Sequence, residues 1–543
     1  MPAPSRFFLD LPREILVQVL SYLHYKDIAR CRRVCVALNA VVEANTALLY
    51  LIELGIEGYT DGYMGRLPTS ERLKQLLMRR NRWLTLDWSG ALPLKPEEVV
   101  PQSTLPYELQ GGMFLNVKDT TGLVAMNRTM LPTSQRPQSE FTSRTLDTKA
   151  LDITADSTQD LLVMLDTRGR VHFWSLSSQS AHPQATEPIL RPDGAGSLLI
   201  TALHIAHDLV ALIEWLNFVH ITIWNWKTGK TIIQQGHRSS LLYYATSLAW
   251  LSSRAFVLSD ASRGELAIYS LENVDCTSPT EPTLFNELQP CARLQLPRIE
   301  SGWHISHFEL ETTPLVAEPP RDRPFSIDQD SNLIVFTMQY VTHNHRRVSS
   351  RYMGFVHSRY LRSYVNEGCH GENTKLMSWA QWGPRNTRVL SQASMNAAFA
   401  RYVHGQRVVQ SRLHHMGERN MVSVYDFNVH PARIASVIRS QERGSGGITI
   451  VDDEAELRDS SKAEAYMDVV DFPTVIARGS QEGLQCHPFA EDVRSTLPFI
   501  ETSRVIESAA GKSVQFMMDE ERLIEMRVSP HSVLQFVHDV VIG

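Results

Sequence analysis

The stretch LPREILVQVLSYLHYKDIARCRRVCVALN, residues Leu11–Asn39, decides the reading of the amino-terminal region. Pro12 suits the first turn of a helix, where its missing N–H is not needed. Leu11, Ile15, Leu16, Val19, Leu20 and Leu23 recur at helical spacing and predict a helix from about Pro12 to Tyr22. Asp27 offers an N-cap for a second helix, on which Ile28, Cys31, Cys35 and Leu38 would share a face. An amphipathic stripe is usually core. A hairpin this small cannot bury its whole apolar surface alone, so it needs a partner within the chain or outside it.

The helical character continues to about residue 90. Leu48, Leu49, Leu51 and Ile52 predict a third helix from about Thr46 to Leu54, with Gly55 as its C-cap. Pro68 precedes a fourth, from about Ser70 to Trp83, with Leu73, Leu76, Leu77 and Trp83 on its buried side. The Pro-rich stretch LPLKPEEVVP, Leu92–Pro101, cannot continue a helix and reads as a linker.

From about residue 105 short strands with turn signals take over. VHFWSLSS (Val171–Ser178), ITIWNWKTG (Ile221–Gly229), LAIYSLEN (Leu266–Asn273) and VSVYDFNV (Val422–Val429) share one pattern. Each alternates in polarity, has an aromatic at its fourth position and ends in a polar turn. Two further strands precede three of them, as in LLVMLD, the turn TRGR, then VHFWSL. A small antiparallel sheet cannot bury both faces alone, so copies must pack side by side. Repeats of ~40–45 residues with four strands each mark a propeller. Ser331–Val341 with Arg351–Leu361 reads as part of one blade, and Val514–Phe536 as strand, turn, strand, turn, strand.

The expected class is α+β and multidomain: helices, a helical extension, then a mostly β, propeller-like domain of six or seven blades. The expected boundaries are 1–55, 56–105 and 106–543. Val451–Asp471, with eight acids and two bases, is expected as a solvated acidic loop.

The amino-terminal stretch resembles the F-box. Leu11-Pro12, Ile15-Leu16, Tyr22-Leu23, Asp27 and Val34-Cys35 stand at that family's spacing. The family often has Trp three residues after the Cys, where this chain has Leu38. Ala47–Gly62 and Ser70–Trp88 are similar to the helical extension of a large group of fungal F-box proteins. The resemblance implies a substrate-recognition subunit of an SCF-type (Skp–cullin–F-box) ubiquitin ligase. Its helices would bind the Skp-type adaptor and, through it, cullin. Leu11, Pro12, Ile15, Leu16, Val19, Leu20, Leu23, Ile28, Val34 and Cys35 match the family's contact and core pattern. The β region would bind a client protein. Past residue 90 the resemblance is architectural: the Trp-Asp signature of WD repeats is absent, and Trp224-Asn225 and Tyr425-Asp426 come nearest. A scaffold that binds the adaptor without cullin is the alternative.

The residues offer no catalytic constellation. Gly511-Lys512-Ser513 resembles a P-loop end, but Ile506 stands at the required glycine, so a turn is the better account. Arg443–Gly447 reads as a flexible loop, and G-x-S-x-G and H-E-x-x-H are missing. The histidines come in pairs, which is short of a metal site, and no cofactor is expected. Arg346, Arg347 and Arg351 lie in an acid-free basic stretch and are candidates for an acidic or phosphorylated client. The plainer account is a solvated loop and strand edge.

Composition sets the outer limits. The 543 residues are 43% hydrophobic and 21% charged, with a net charge of −6. That is ordinary globular composition, and its sign disfavours a nucleic-acid partner. No uncharged apolar run reaches the 18 residues of a membrane helix, so no membrane partner is expected. Six scattered cysteines without a CxxC pair read as reduced intracellular thiols. Asn127-Arg-Thr129 fits a glycosylation sequon by chance. The expected location is cytoplasmic, nuclear or both.

Overall fold

The structure is a computed structural model. It describes residues 8–62, 67–87, 91–92, 106–120, 123–131, 140–192, 200–215, 219–235, 247–320, 323–342, 349–368, 374–391, 401–414, 419–442, 449–450, 465–477, 481–482, 485–506, 514–528 and 534–541. Arg346, Arg347, His343, His345, Arg443–Gly447 and Gly511–Ser513 lie outside the described residues, as does most of the acidic segment.

Among the described residues, five α-helices open the chain: α1 (Arg13–Ser21), α2 (Tyr25–Cys31), α3 (Val36–Glu43), α4 (Thr46–Glu57) and α5 (Thr69–Thr85). Pro12 is the N-cap residue of α1, as its fixed φ allows. The expected second helix is two. The chain breaks between α2 and α3, and Cys35 turns extended and caps α3, its Sγ accepting from the Leu38 N–H at 3.5 Å. Cys31 and Cys35 therefore do not share one helical face. Asp27 is not a cap; it lies in the first turn of α2 and pairs with Arg30 at 2.6 Å. Asn45 caps α4 by accepting from the Ala47 and Leu48 N–H groups. Gly55 lies inside α4, and Gly58, at φ 71°, ends it. The expected boundary at 55 thus falls within a helix. Gly55 is needed for another reason: a Cβ there would meet the Tyr25 ring at 2.2 Å, so α2 and α4 pack through it.

Among the described residues, seven sheets of four to six strands follow. The first runs Tyr107–Gln110, Met113–Thr120, Leu123–Met130, Glu140–Leu146, each strand antiparallel to the one before. The second to fifth sheets repeat this meander, with Ala150–Asp156, Ile200–Ala206, Leu248–Ser252 and Trp303–Thr312 as first strands. Each of these first strands packs on the next; the series continues to Val403–His404 of the sixth sheet and Val514–Met518 of the seventh. Gly112 after the first of them lies against Arg522, so the series returns to its start. The cores lie between neighbouring sheets. Leu161, Val163 and Phe173 of the second pack with Leu203, Val210 and Leu212 of the third, for example. This is propeller packing, in which each sheet buries its faces on two others.

The four aromatic repeats occupy equivalent places. Trp174, Trp224, Tyr269 and Tyr425 all sit on the third strand of a sheet, in the second, third, fourth and sixth. The Asp166–Arg170 turn leads into the first of these third strands. Asp166 accepts from the Arg168 and Arg170 N–H groups, both at 2.9 Å, and Gly169 takes φ 72°. The last sheet joins Val514–Met518, Arg522–Val528 and Leu534–Val541 to Ala91–Leu92, a strand from before the first sheet.

Three expectations need correction. Part of the acidic segment is not loop: Ala465–Val470 is a strand of the sixth sheet, with Met467 and Val470 buried. The strand AYMDVV holds only one acid, Asp468, which the charge count of the whole segment hid. Second, the strand expected to run to Leu361 ends at His357, and α6 (Ser358–Gly368) begins. α7 (Trp379–Asn386) and α8 (Pro431–Glu442) are further insertions. Third, Cys291 is disulfide-bonded, while Cys31, Cys35 and Cys276 are free. Pairing between cysteines far apart in sequence leaves no spacing signal. Asn127 of the sequon is buried in a strand and accepts from Ser143 at 2.7 Å.

Candidate functional site

α1 presents two faces. Leu16 and Leu20 point inward, and Leu20 joins Ile28, Val42, Leu48, Ile52 and Ile56 in one core. Leu11, Ile15, Val19 and Leu23, four residues apart, form a row 39–41% exposed. Ile15 and Val19 lie one above the other on α1, while Leu11 precedes the helix and Leu23 follows it. Tyr22 at 82%, Val34 at 70% and Val36 at 87% are exposed as well. The ten expected contact positions therefore divide. Leu11, Pro12, Ile15, Val19, Leu23 and Val34 are exposed, Cys35 is half-buried, and Leu16, Leu20 and Ile28 are buried. The buried three hold the helices together and cannot touch a partner. Val36 and Tyr22 were missing from the set; the break before α3 turns Val36 outward, and no spacing rule anticipates that break.

The helices do not hang on a linker. Tyr59–Asp61 pairs antiparallel with Phe325–Ile327 of the β region, Thr60 opposite Ser326. Glu57, at the end of α4, is buried among three arginines. It accepts from Arg80 Nε of α5 at 2.5 Å and from Arg433 Nε of α8 at 2.9 Å, with Arg407 Nη2 at 3.6 Å. Asp426 accepts from Arg407 at 2.9 Å and Arg433 at 2.7 Å. Burial alone would raise the Glu57 carboxyl, but Arg433, Arg80 and Arg407 outweigh it and hold it below its usual range. The same contest brings Asp426 down to about 2.

A second cluster fixes α5. Arg79 reaches Glu520 at 3.0 Å and Glu521 at 2.9 Å, and Arg323 reaches Glu520 at 2.8 Å. Trp83 donates from Nε1 to the Glu520 carbonyl at 3.3 Å and packs in the core of the fifth to seventh sheets. Arg323, Arg407, Glu520 and Glu521 follow first strands, and Asp426 and Arg433 lie at and just past the end of a third strand, which runs the same way in an antiparallel sheet. The helices thus sit on one end of the ring of sheets.

Of the arginine candidates, Arg351 is described, and it belongs to the other end. The second strand of the fifth sheet, Leu333–Thr342, starts beside the helices and spans ten residues, about 33 Å at ~3.3 Å each. Arg346 and Arg347 follow it, outside the described residues. Arg351 is exposed on the next strand, and its Nη2 donates to Gln339 at 3.1 Å on its cross-strand neighbour. Arg362 of the same basic stretch pairs with Asp330. Among the described residues, no group of three His, Cys, Asp or Glu could hold a metal ion. No single described helix is long and apolar enough to cross a membrane.

The F-box-like family model matches residues 8–49. That match covers α1 to α3, the start of α4 and the whole exposed row. No curated protein matches the chain. Among solved structures, the WD40 domain of Toxoplasma gondii coronin aligns with 83% of this chain and 86% of its own, at TM-score 0.35 and 9% identity. A chain of an active polycomb repressive complex 2 in the basal state aligns with 83% and 96%, at TM-score 0.34 and 11% identity. A chain of the COPII coat assembled on membranes aligns with 80% and 53%, at 0.28 and 9%. The fold assignment rests on the strand order, not on these likenesses.

Proposed function

We propose that this chain is the substrate-recognition subunit of an SCF-type ubiquitin ligase, built as an F-box-like helical platform on a seven-bladed propeller. One observation carries the reading: the exposed row Leu11, Ile15, Val19, Leu23 lies inside the F-box-like segment. Grouped exposed apolar side chains are stable in water only at the cost of their hydration, and they mark a partner surface. The Skp-type adaptor is the partner that the family resemblance assigns to it, and cullin follows through the adaptor.

The mechanism is proximity, with no catalytic group from this chain. A client on the far end of the propeller is held at a fixed distance from the adaptor, because the platform is fastened by buried ion pairs. That raises the effective concentration of a client lysine near the charged conjugating enzyme. Arg346, Arg347 and Arg351 are the client-binding candidates.

Co-expression with a Skp-type adaptor and a cullin, followed by size-exclusion chromatography, tests the reading. A ternary complex is expected, lost in Ile15→Asp/Val19→Asp. A folded wild-type chain that forms no complex overturns it. Adaptor without cullin in the complex would favour the scaffold alternative.

A further inference from the structure

The first strands line the centre of the ring, and one arginine gathers carboxyl groups there. Arg401, just before the first strand of the sixth sheet, reaches Glu108 of the first sheet with Nε at 2.6 Å and Nη2 at 2.5 Å. Its Nη1 reaches Glu311 of the fifth sheet at 3.3 Å. Its carbonyl accepts from the Met518 N–H of the seventh at 2.8 Å. The Arg401 backbone takes φ 72°, a left-handed conformation that a side chain like this adopts only where its contacts impose it. Thr154 of the second sheet donates to Glu108 at 3.3 Å. Two residues before it, Asp152 accepts from the Leu203 N–H of the third sheet at 2.7 Å and from the Ile153 N–H at 2.9 Å.

Three carboxyls thus share one guanidinium. With all three ionised, the cluster would carry an excess of two negative charges. Its neighbours do not supply the missing cations. His204 of the third sheet is held neutral, burial and Arg401 pushing it down to about 4. His404 of the sixth is pushed down to about 3 by burial and the arginines around it. His307 of the fifth lies 3.1 Å from Glu309, a further acid on the same strand. Tyr402 is kept protonated by burial and by Glu311 and Glu309, and Tyr107 also faces Arg401. Asp156, farther along the second sheet's first strand, accepts from the Thr158 N–H and from Gln159 Nε2. The first strands of the fourth and seventh sheets carry no charged residue.

Like charges in one buried site do not all ionise at their ordinary values, so the cluster keeps protons. Burial, and after it Glu108, push Asp152 up to about 7 against the two N–H groups it accepts from. Burial, with Glu309 and Glu108, pushes Glu311 up to about 7 against Arg401. Glu311 and Arg401 keep 16% and 17% of their side chains exposed, so protons can enter and leave. We propose that Glu108, Asp152, Glu311 and Arg401 form a proton-loaded clasp at the centre of the ring, tight below neutral pH and slack above it. A carboxyl raised by folding stabilises the native state fully below its unfolded value, near 4, and that contribution is lost as pH rises through the folded value. The ring therefore weakens as pH rises from about 4 to about 7, the opposite sign to a carboxylate held down by arginines.

Infrared spectroscopy of the full chain tests the clasp, because a protonated carboxyl has a carbonyl band that a carboxylate lacks. That band should persist at about pH 6, where a carboxyl of ordinary value near 4 is almost wholly ionised, and vanish with a midpoint near 7. It should weaken in Asp152→Asn and in Glu311→Gln. No such band in the folded wild type overturns the proposal, and this measurement needs no variant. A band of full strength in both folded variants overturns it as well, by assigning the protons elsewhere. The urea midpoint of the wild type should fall between about pH 5 and about pH 8, and the fall should be smaller in each variant. Equal falls in wild type and variants would take the clasp out of the ring's stability. The assay contains no adaptor or cullin, so its result is separate from that of the reconstitution.

Discussion

Arg433 donates from Nε to Glu57 Oε1 at 2.9 Å across 376 residues of chain, with both side chains essentially buried. This one contact joins the last turn of α4 to α8, an insertion in the sixth sheet. Arg80 and Arg407 converge on the same carboxylate from α5 and from the β region. The platform and the propeller are therefore one mechanical unit, and Glu57 is its pin.

Removing one partner from a buried ion network leaves the others uncompensated, at about 3–5 kcal/mol. Glu57→Gln should lower the free energy of unfolding by that order, read from urea melts. It should also open the segment between α4 and the first sheet to limited proteolysis. A melt unchanged from wild type would falsify the pin.

The same network sets a pH dependence. Glu57 and Asp426 both titrate below their usual values in the fold, Asp426 at about 2. A carboxyl depressed by folding stabilises the native state above its unfolded value, near 4, and loses that contribution as pH falls through the folded value. Stability should therefore drop between roughly pH 4 and pH 2. Asp426→Asn should be weaker at pH 7 and show a shallower drop in that window. Urea midpoints taken from pH 7 to pH 2.5 decide it; identical slopes for both proteins would remove Asp426 from the account.

Gly55→Ala reverses an ordinary rule. In a helix interior Ala is favoured over Gly by ~1 kcal/mol. Here the new Cβ meets the Tyr25 ring at 2.2 Å, so overpacking of about 1–3 kcal/mol should win. Tyr25→Ala on top of it should return part of that loss. A stabilised Gly55→Ala would mean that α2 and α4 are farther apart than described.

Much of the helical region was legible because 3.6-residue periodicity survives at Ile15, Leu16, Val19 and Leu20. What periodicity could not give was the side. Leu16 and Ile15 are neighbours in one stripe, yet the first is buried and the second exposed. The stripe is wider than one interface because it serves two, one inside the chain and one outside. The strand repeats were legible through Trp174, Trp224, Tyr269 and Tyr425, since a third strand is flanked on both sides. The docking of the platform left no trace. Glu57, Arg80, Arg407 and Arg433 look like surface charges, and only three-dimensional convergence makes them a core.

The split of the α1 stripe separates folding from binding. Leu20→Ala removes a fully buried side chain and should cost about 2–5 kcal/mol, with adaptor binding lost as a consequence. Ile15→Asp and Val19→Asp act at the surface and should stay within ~0.5 kcal/mol of wild type. Under the proposed function they should still abolish adaptor binding. Thermal melts beside adaptor pull-downs distinguish the two classes, and Ile15→Asp that binds as wild type would take the row out of the interface.

Closure of the ring gives the last test. Ala91 lies opposite Val540, and Leu92 opposite Asp539, so the outer strand of the final sheet comes from the segment before the first. Antiparallel partners have Cα atoms ~4.5–5.5 Å apart, within the span of a disulfide. Ala91→Cys/Val540→Cys should therefore cross-link under mild oxidation, detected by mass spectrometry of peptides after digestion. Leu92→Cys/Val540→Cys pairs positions one residue out of register and should not. The cross-link closes almost the whole chain into one loop, so it should stabilise the oxidised protein, typically by ~2–4 kcal/mol. A cross-link in the mismatched pair but not in the matched one would mean that the closing strand is shifted by one residue. No cross-link in either would mean that the last sheet is closed by some other segment.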